Sequence, residues 1–149
     1  MKQPVSTLVL VYTRALDVLV LERADFPGHW QSVTGSREDD EPLAATAARE
    51  LAEETGIDAG AHGGVADWNM TNVFEIYPRW RHRYPHGTTH NCEHVFGLAL
   101  AAPVPVTLAP GEHLAHAWLP WREAAERVFS WSNRAAILAL PRHLQGTQA

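Results

Sequence analysis

The sequence predicts an α+β domain with a mixed β-sheet held between helices, and three features carry that prediction. Short segments rich in Val, Leu and Thr recur along the chain and have the residue types of strands. One longer segment, 42–55, has helical spacing with clear end signals, and two further helical segments lie near the end of the chain. No internal repeat and no linker divides the 149 residues, so they are read as one domain, 1–149.

Taken in order, residues 5–12 and 18–22 read as strands joined by a hairpin at 13–17. Phe26-Pro27-Gly28-His29 breaks the pattern, and 30–34 is a short strand. In the helix at 42–55, Asp40 or Glu41 is expected to cap the start, Pro42 to occupy the first turn and Gly56 to end it. Its apolar side is Leu43, Ala44, Ala47, Ala48 and Leu51. Residues 60–64 form a loop, 65–68 a weak strand, and 72–83 a strand interrupted at Pro78. A loop covers 84–91, a strand 93–101, a proline-rich connection 103–110, and a short strand 115–119. Residues 121–128 and 133–140 are helical, and the polar tail from Gln145 is frayed. Trp30, Trp118, Trp121 and Trp131 are packing residues, with Trp131 near the site.

Composition narrows the functions. Hydrophobic residues are 46%, charged residues 19%, and the net charge is −5. That balance supports a real core and offers no basic stripe for nucleic acid. An acidic protein that binds polyphosphate needs local cations, either a few Arg and Lys or divalent metal held by carboxylates. The single cysteine, Cys92, allows no internal disulfide, which fits a reducing compartment. The first residues read as a strand and no run reaches membrane-span length, so a cytoplasmic protein without a membrane partner is expected. Monomer and homodimer both stay open. His82, His86, His90, His94 and Cys92 cluster without any ordinary zinc-ligand spacing.

The chemistry concentrates in 35–57. Glu50 and Glu54 are four residues apart and Glu53 lies beside them, so the three share an arc of roughly 100° on one helix face. A solvated helix face could carry the same glutamates. Like charges at that spacing repel unless a cation neutralises them, and Mg²⁺ favours a few carboxylates plus waters and substrate phosphate oxygens. Arg49 can hold one carboxylate in place, and the turn Thr34-Gly35-Ser36 could bring a backbone carbonyl to the metal. The full pattern is G-x5-E-x7-R-E-U-x-E-E-x-G-U, with U a bulky aliphatic residue. Gly35, Glu41, Arg49, Glu50, Leu51, Glu53, Glu54, Gly56 and Ile57 meet its nine positions within 23 residues.

That pattern resembles the Nudix hydrolase box. Ser36 and Asp40 stand where glycine is common, and neither removes a ligand. The resemblance implies an α/β/α sandwich with a mixed sheet and a Mg²⁺-dependent attack of water at phosphorus, with Mn²⁺ as a possible substitute. Glu50 and Glu54 would hold metal, and Glu53 would be a third ligand or help activate water.

Segments outside the box resemble the folate-pathway branch of the family over residues 2–137. They are Pro4-Val-Ser, Phe26 to Gly35, Phe74-Glu-Ile-Tyr77, Arg81-His-Arg-Tyr84, Glu112-His-Leu-Ala115 and Ser130-Trp-Ser-Asn-Arg134. This resemblance implies a small-molecule triphosphate substrate, 7,8-dihydroneopterin triphosphate, cleaved to the monophosphate and pyrophosphate. By position, Glu112 joins Glu50 and Glu54 at the metal, and Glu53, Glu54 and Glu112 are the catalytic candidates. Lys2, Arg23, Thr34, Phe74, Glu75, Ile76, Tyr77 and Ser130 would line the substrate site. Glu75 is the residue expected to accept N–H groups from the heterocycle. The residues of 81–84 are expected at the rim. Ser130 could equally cap the last helix. Two alternatives remain: hydrolysis of ordinary or oxidised nucleoside triphosphates, and a non-catalytic sensing module. The latter should lose box glutamates or gain a DNA-binding extension, and this chain does neither.

Overall fold

A computed structural model of the chain describes residues 1–144, and the tail expected from Gln145 lies outside them. The expected α+β architecture is present, with a seven-stranded mixed sheet between helices. Its strands are β1 (Val5–Thr13), β2 (Asp17–Arg23), β3 (Trp30–Gln31), β4 (Val33–Ser36), β5 (Ala66–Glu75), β6 (His90–Leu100) and β7 (His113–Pro120). The helices are α1 (Leu43–Thr55), α2 (Trp121–Arg127), α3 (Trp131–Leu138) and α4 (Leu140–Leu144).

The centre of the sheet is the parallel pair β1 and β6, in register from Val5 opposite Cys92 to Thr13 opposite Leu100. All other pairings between these strands are antiparallel. β1 is buried on both faces, which explains its nearly unbroken apolar run. Leu8, Leu10 and Tyr12 point to one face and pack with Val95, Ala124, Ile137 and Leu140 under α2–α4. Val9 and Val11 point to the other and pack with Ala47, Leu51, Phe96 and Leu98 under α1. These two cores make the α/β/α sandwich.

Several local expectations are corrected. The strand at 30–34 is two short strands, β3 on β2 and β4 on β1, so Thr34–Ser36 is a ladder rather than a turn. Neither Asp40 nor Glu41 caps α1: Pro42 is the N-cap residue and no side chain bonds the exposed amides. Glu41 is drawn instead to Arg49 and to the Glu38 amide. Ala44 is exposed, while Thr46, Glu54 and Thr55 join Ala47 and Leu51 on the buried face. Gly56 ends the helix as expected, with φ at 72° and its amide bonded to Ala52. Part of 60–64 is a 3-10 turn, Ala59–His62. The two segments 65–68 and 72–75 form one strand, β5, joined through an irregularity between Asp67 and Met70. Residues Pro78–Arg83 are a 3-10 helix and not strand, because Pro78 has no N–H for the ladder. No helix among the described residues is long and apolar enough to cross a membrane.

Candidate active site

A cleft of about 1030 Å³ runs from the α1 carboxylates to the space between β5, β6 and the start of α3. At the α1 end Arg49 organises the box. Its guanidinium donates to Glu41 Oε1 at 2.6 Å, to Glu50 Oε1 at 2.9 Å and to the Ser36 carbonyl at 3.0 Å. The same guanidinium lowers the Glu41 pKa to about 2. The Glu50 carboxyl lies directly on Gly35: a Cβ there would stand 2.0 Å from the Glu50 carboxyl carbon. Glycine is the only residue that leaves this space open.

Glu54 lies deeper, 2% exposed, and its Oε2 has no partner. Burial first, and then the neighbouring Glu50, raise its pKa well above the ordinary value. Glu50 is raised by burial against the opposing pull of Arg49. His113 Nε2 is 3.4 Å from Glu54 Oε1. Burial lowers the His113 pKa, so this contact joins two groups that favour their neutral forms. Two adjacent carboxyls, one carrying an orphaned buried oxygen, fit a hard divalent cation, whose charge would hold both ionised. No three His, Cys, Asp or Glu side chains among the described residues converge into a ready cage. The donor set therefore suits a divalent cation that takes part of its coordination from outside the protein, not a closed all-protein site.

Glu53 and Glu112 line the cleft with exposed carboxylates. Glu112 is anchored by its carbonyl, which accepts from the Ala24 amide at 3.0 Å, and its charge reaches Glu54. The cations follow. Lys2 is held in place by its backbone N–H, which donates to the Arg83 carbonyl at 2.8 Å. Desolvation, then Arg83 and Arg23, lower its pKa, and Glu50 and Glu54 oppose them. Arg23 grips Asp25 through two bonds of 2.7 and 2.8 Å and lies 4.3 Å from the Trp80 ring centre. Arg83 reaches the same Asp25 at 2.9 Å. Asp25 thus holds two guanidiniums side by side at the cleft, and they keep its carboxyl far below the usual range. Thr34 lines the cleft beside them.

Toward the other end, Phe74, Ile76 and Tyr77 form a wall with Trp80 and Phe129, and Tyr77 stacks on Trp80 at 5.3 Å. Strand alternation would have separated Ile76 from Tyr77, but β5 ends at Glu75 and the chain turns there. Glu75 is not part of the cleft. Its carboxylate is bound by Arg81 on the exposed side of β5, which also removes Arg81 from the rim. Arg83 and Tyr84 do reach the cleft. Ser130 lines it while also capping α3, accepting from the Asn133 amide at 3.2 Å. Trp131 is 58% exposed at the same helix end.

Asp25, Trp80, Asn91 and Glu93 were not among the sequence candidates. For Glu93 there was a signal: in β6 it occupies a core-facing position between Asn91 and Val95, where charge is rare.

The NUDIX domain model matches residues 2–140. The chain is 45% identical over 138 residues to the dihydroneopterin triphosphate diphosphatase of Escherichia coli (strain K12), covering 91% of each chain. It is 39% identical over 135 residues to the Haemophilus influenzae protein of the same name, covering 89% of this chain and 84% of that one. The solved structure of the E. coli dihydroneopterin triphosphate pyrophosphohydrolase superposes with a TM-score of 0.86, over 91% of this chain and 93% of that one.

Proposed function

The chain belongs to the NUDIX family, and from that premise we propose that it hydrolyses 7,8-dihydroneopterin triphosphate to dihydroneopterin monophosphate and pyrophosphate, a step of folate biosynthesis. The observation that carries the chemistry is the Glu50–Glu54 pair, with one buried oxygen unpartnered, at the cationic end of a long cleft. The two relatives named for this substrate supply the choice of heterocycle.

NUDIX enzymes generally use divalent metal ions. We assign Mg²⁺, replaceable by Mn²⁺, to Glu50, Glu54 and Glu112, where it would neutralise charge on the phosphate oxygens and acidify the attacking water. Arg49 keeps Glu50 aimed at that position. Lys2 and Arg23 offset the remaining phosphate charge, Arg23 as a fixed positive charge whose fork is already held by Asp25 and Gln31, and Thr34 and Ser130 add hydrogen bonds. Glu53 and Glu112, exposed in the cleft, can accept the proton of the attacking water. Water then adds at phosphorus, the bridging P–O bond breaks, and pyrophosphate departs. The apolar wall of Phe74, Ile76 and Tyr77 borders the flat ring. Residues 1–149 are proposed to act as one domain in the cytoplasm on a small-molecule triphosphate, without nucleic acid.

The test compares kcat/KM of purified enzyme with Mg²⁺ for dihydroneopterin triphosphate, dGTP and 8-oxo-dGTP. The pterin substrate should be preferred. A nucleotide favoured by more than tenfold overturns the substrate assignment.

A further inference from the structure

Two buried acceptors at the inner end of the cleft have no partner in the fold. Glu93 is 4% exposed and lines the cleft, and its Oε1 makes no hydrogen bond. Asn91, two residues earlier on the same face of β6, is 2% exposed and also lines the cleft. Its amide orientation is set by the Nδ2 bond to Ser6 Oγ at 2.7 Å, which leaves Oδ1 as the unpaired atom. Both positions are tightly determined. Ser6 on β1 lies opposite Glu93 in the parallel ladder, and the Ser132 hydroxyl from α3 engages the carboxylate. Asn133 is not available to them, since its amide is bonded on both sides to Ser32.

Each buried acceptor left unpaired has lost its hydration without gaining a hydrogen bond in return, which destabilises the fold. A protein built for stability alone would replace them with apolar residues, as Leu8 and Val95 show next along the same face. Burial raises the Glu93 carboxyl to about 7, and a ligand that donates N–H groups to it would offset that penalty.

We propose that Glu93 Oε1 and Asn91 Oδ1 receive the adjacent ring N–H and exocyclic amino donors of a 2-amino-4-oxo heterocycle, so that Glu93 is the residue that reads the base. This rests on the reading of the cleft as a triphosphate hydrolase site and names the specificity element within it. Pterins and guanine present that donor edge. Adenine does not, because its ring nitrogen beside the amino group is an acceptor. The role expected of Glu75 from sequence thus passes to a glutamate on the neighbouring strand, inside the cleft instead of outside it.

The experiment separates base reading from hydrolysis by using neopterin, which carries no phosphate, as a fluorescent probe titrated into metal-free protein. Wild type binds it, and Glu93→Gln weakens binding at least 30-fold because a neutral amide oxygen is a weaker acceptor of an N–H than a carboxylate. Asn91→Ala weakens it less, and it carries the test if the first variant does not fold. In steady state with dihydroneopterin triphosphate, the Glu93→Gln loss appears mainly in KM, and the preference for dGTP over dATP collapses. Neopterin binding within threefold of wild type in both variants overturns the inference, as does wild type that hydrolyses the pterin triphosphate with no dependence on Glu93. Glu93-dependent neopterin binding by an enzyme that does not cleave the pterin triphosphate upholds it while refuting the proposed reaction.

Discussion

Gly35→Ala tests the box at its least obvious position. Gly35 lies in β4, and its backbone conformation suits any L residue, so alanine there introduces no backbone strain. The new methyl would stand 2.0 Å from the Glu50 carboxyl carbon and 2.3 Å from its Oε1. Ordinary contact begins at 3.4 Å, so the carboxyl must retreat by at least about 1.4 Å. It is the end of a flexible side chain and can move into the cleft, which keeps the cost to folding small. Alanine also reduces the entropy of the unfolded chain relative to glycine by roughly 0.5–1 kcal/mol. The melting temperature should therefore stay within about 4 °C of wild type. Activity should not survive as well. A displacement of this size at a reacting centre costs on the order of 100-fold, or about 2.7 kcal/mol of transition-state stabilisation. The assay is pyrophosphate release across a Mg²⁺ titration, beside thermal melts of the same samples. Gly35→Ala added to Glu50→Ala should cost nothing further, because the methyl acts only through Glu50. A single variant with kcat/KM within threefold of wild type, or additive losses in the double variant, would refute the argument.

Glu54→Gln mimics the protonated form that burial and Glu50 favour, so in metal-free protein at neutral pH it should leave the melting temperature unchanged or raise it. The same change should lower kcat by roughly 10²–10³-fold, about 3–4 kcal/mol, and abolish the stabilisation seen on adding Mg²⁺; an unaltered kcat would contradict the metal-site assignment. Glu93 predicts a pH dependence of ligand-free stability. Its folded pKa is raised from 4.5 to about 7, so between those values the folded state holds the proton more tightly than the unfolded state. Stability should fall as pH rises through that window, by up to about 3 kcal/mol, with the loss complete above the folded pKa. Melting curves from pH 4.5 to 8 should show this slope in wild type and a flatter one in Glu93→Gln; parallel curves for the two would remove the claim.

The sequence by itself determined the carboxylate end of the site. Glu50, Glu53 and Glu54 share a helix face because the α-helix imposes its period locally. Arg49 and Gly35 lie where the box pattern places them, one holding Glu50 and the other leaving room for it. The central strand was equally legible, since burial on both faces forces a nearly continuous apolar run. Where local pattern and local competition diverged, the sequence misled. Asp40 and Glu41 look like caps, but Arg49, eight residues beyond Glu41, offers the Glu41 carboxylate a stronger charge-assisted partner. The base end was decided only by tertiary structure. Glu75 and Glu93 are both strand glutamates. Arg81 draws Glu75 to the exposed side after the chain turns at Pro78, whereas pairing of β6 between β1 and β5 carries Glu93 inward beneath α3. Asp25 gathers Arg23 and Arg83 across 58 residues of chain, and Trp80 reaches the cleft only because its 3-10 helix folds back over Arg23. A helix face is fixed by bonds four residues apart. A cleft built from β1, β5, β6 and α3 is fixed by pairings tens of residues apart, and those appear only when the sheet closes.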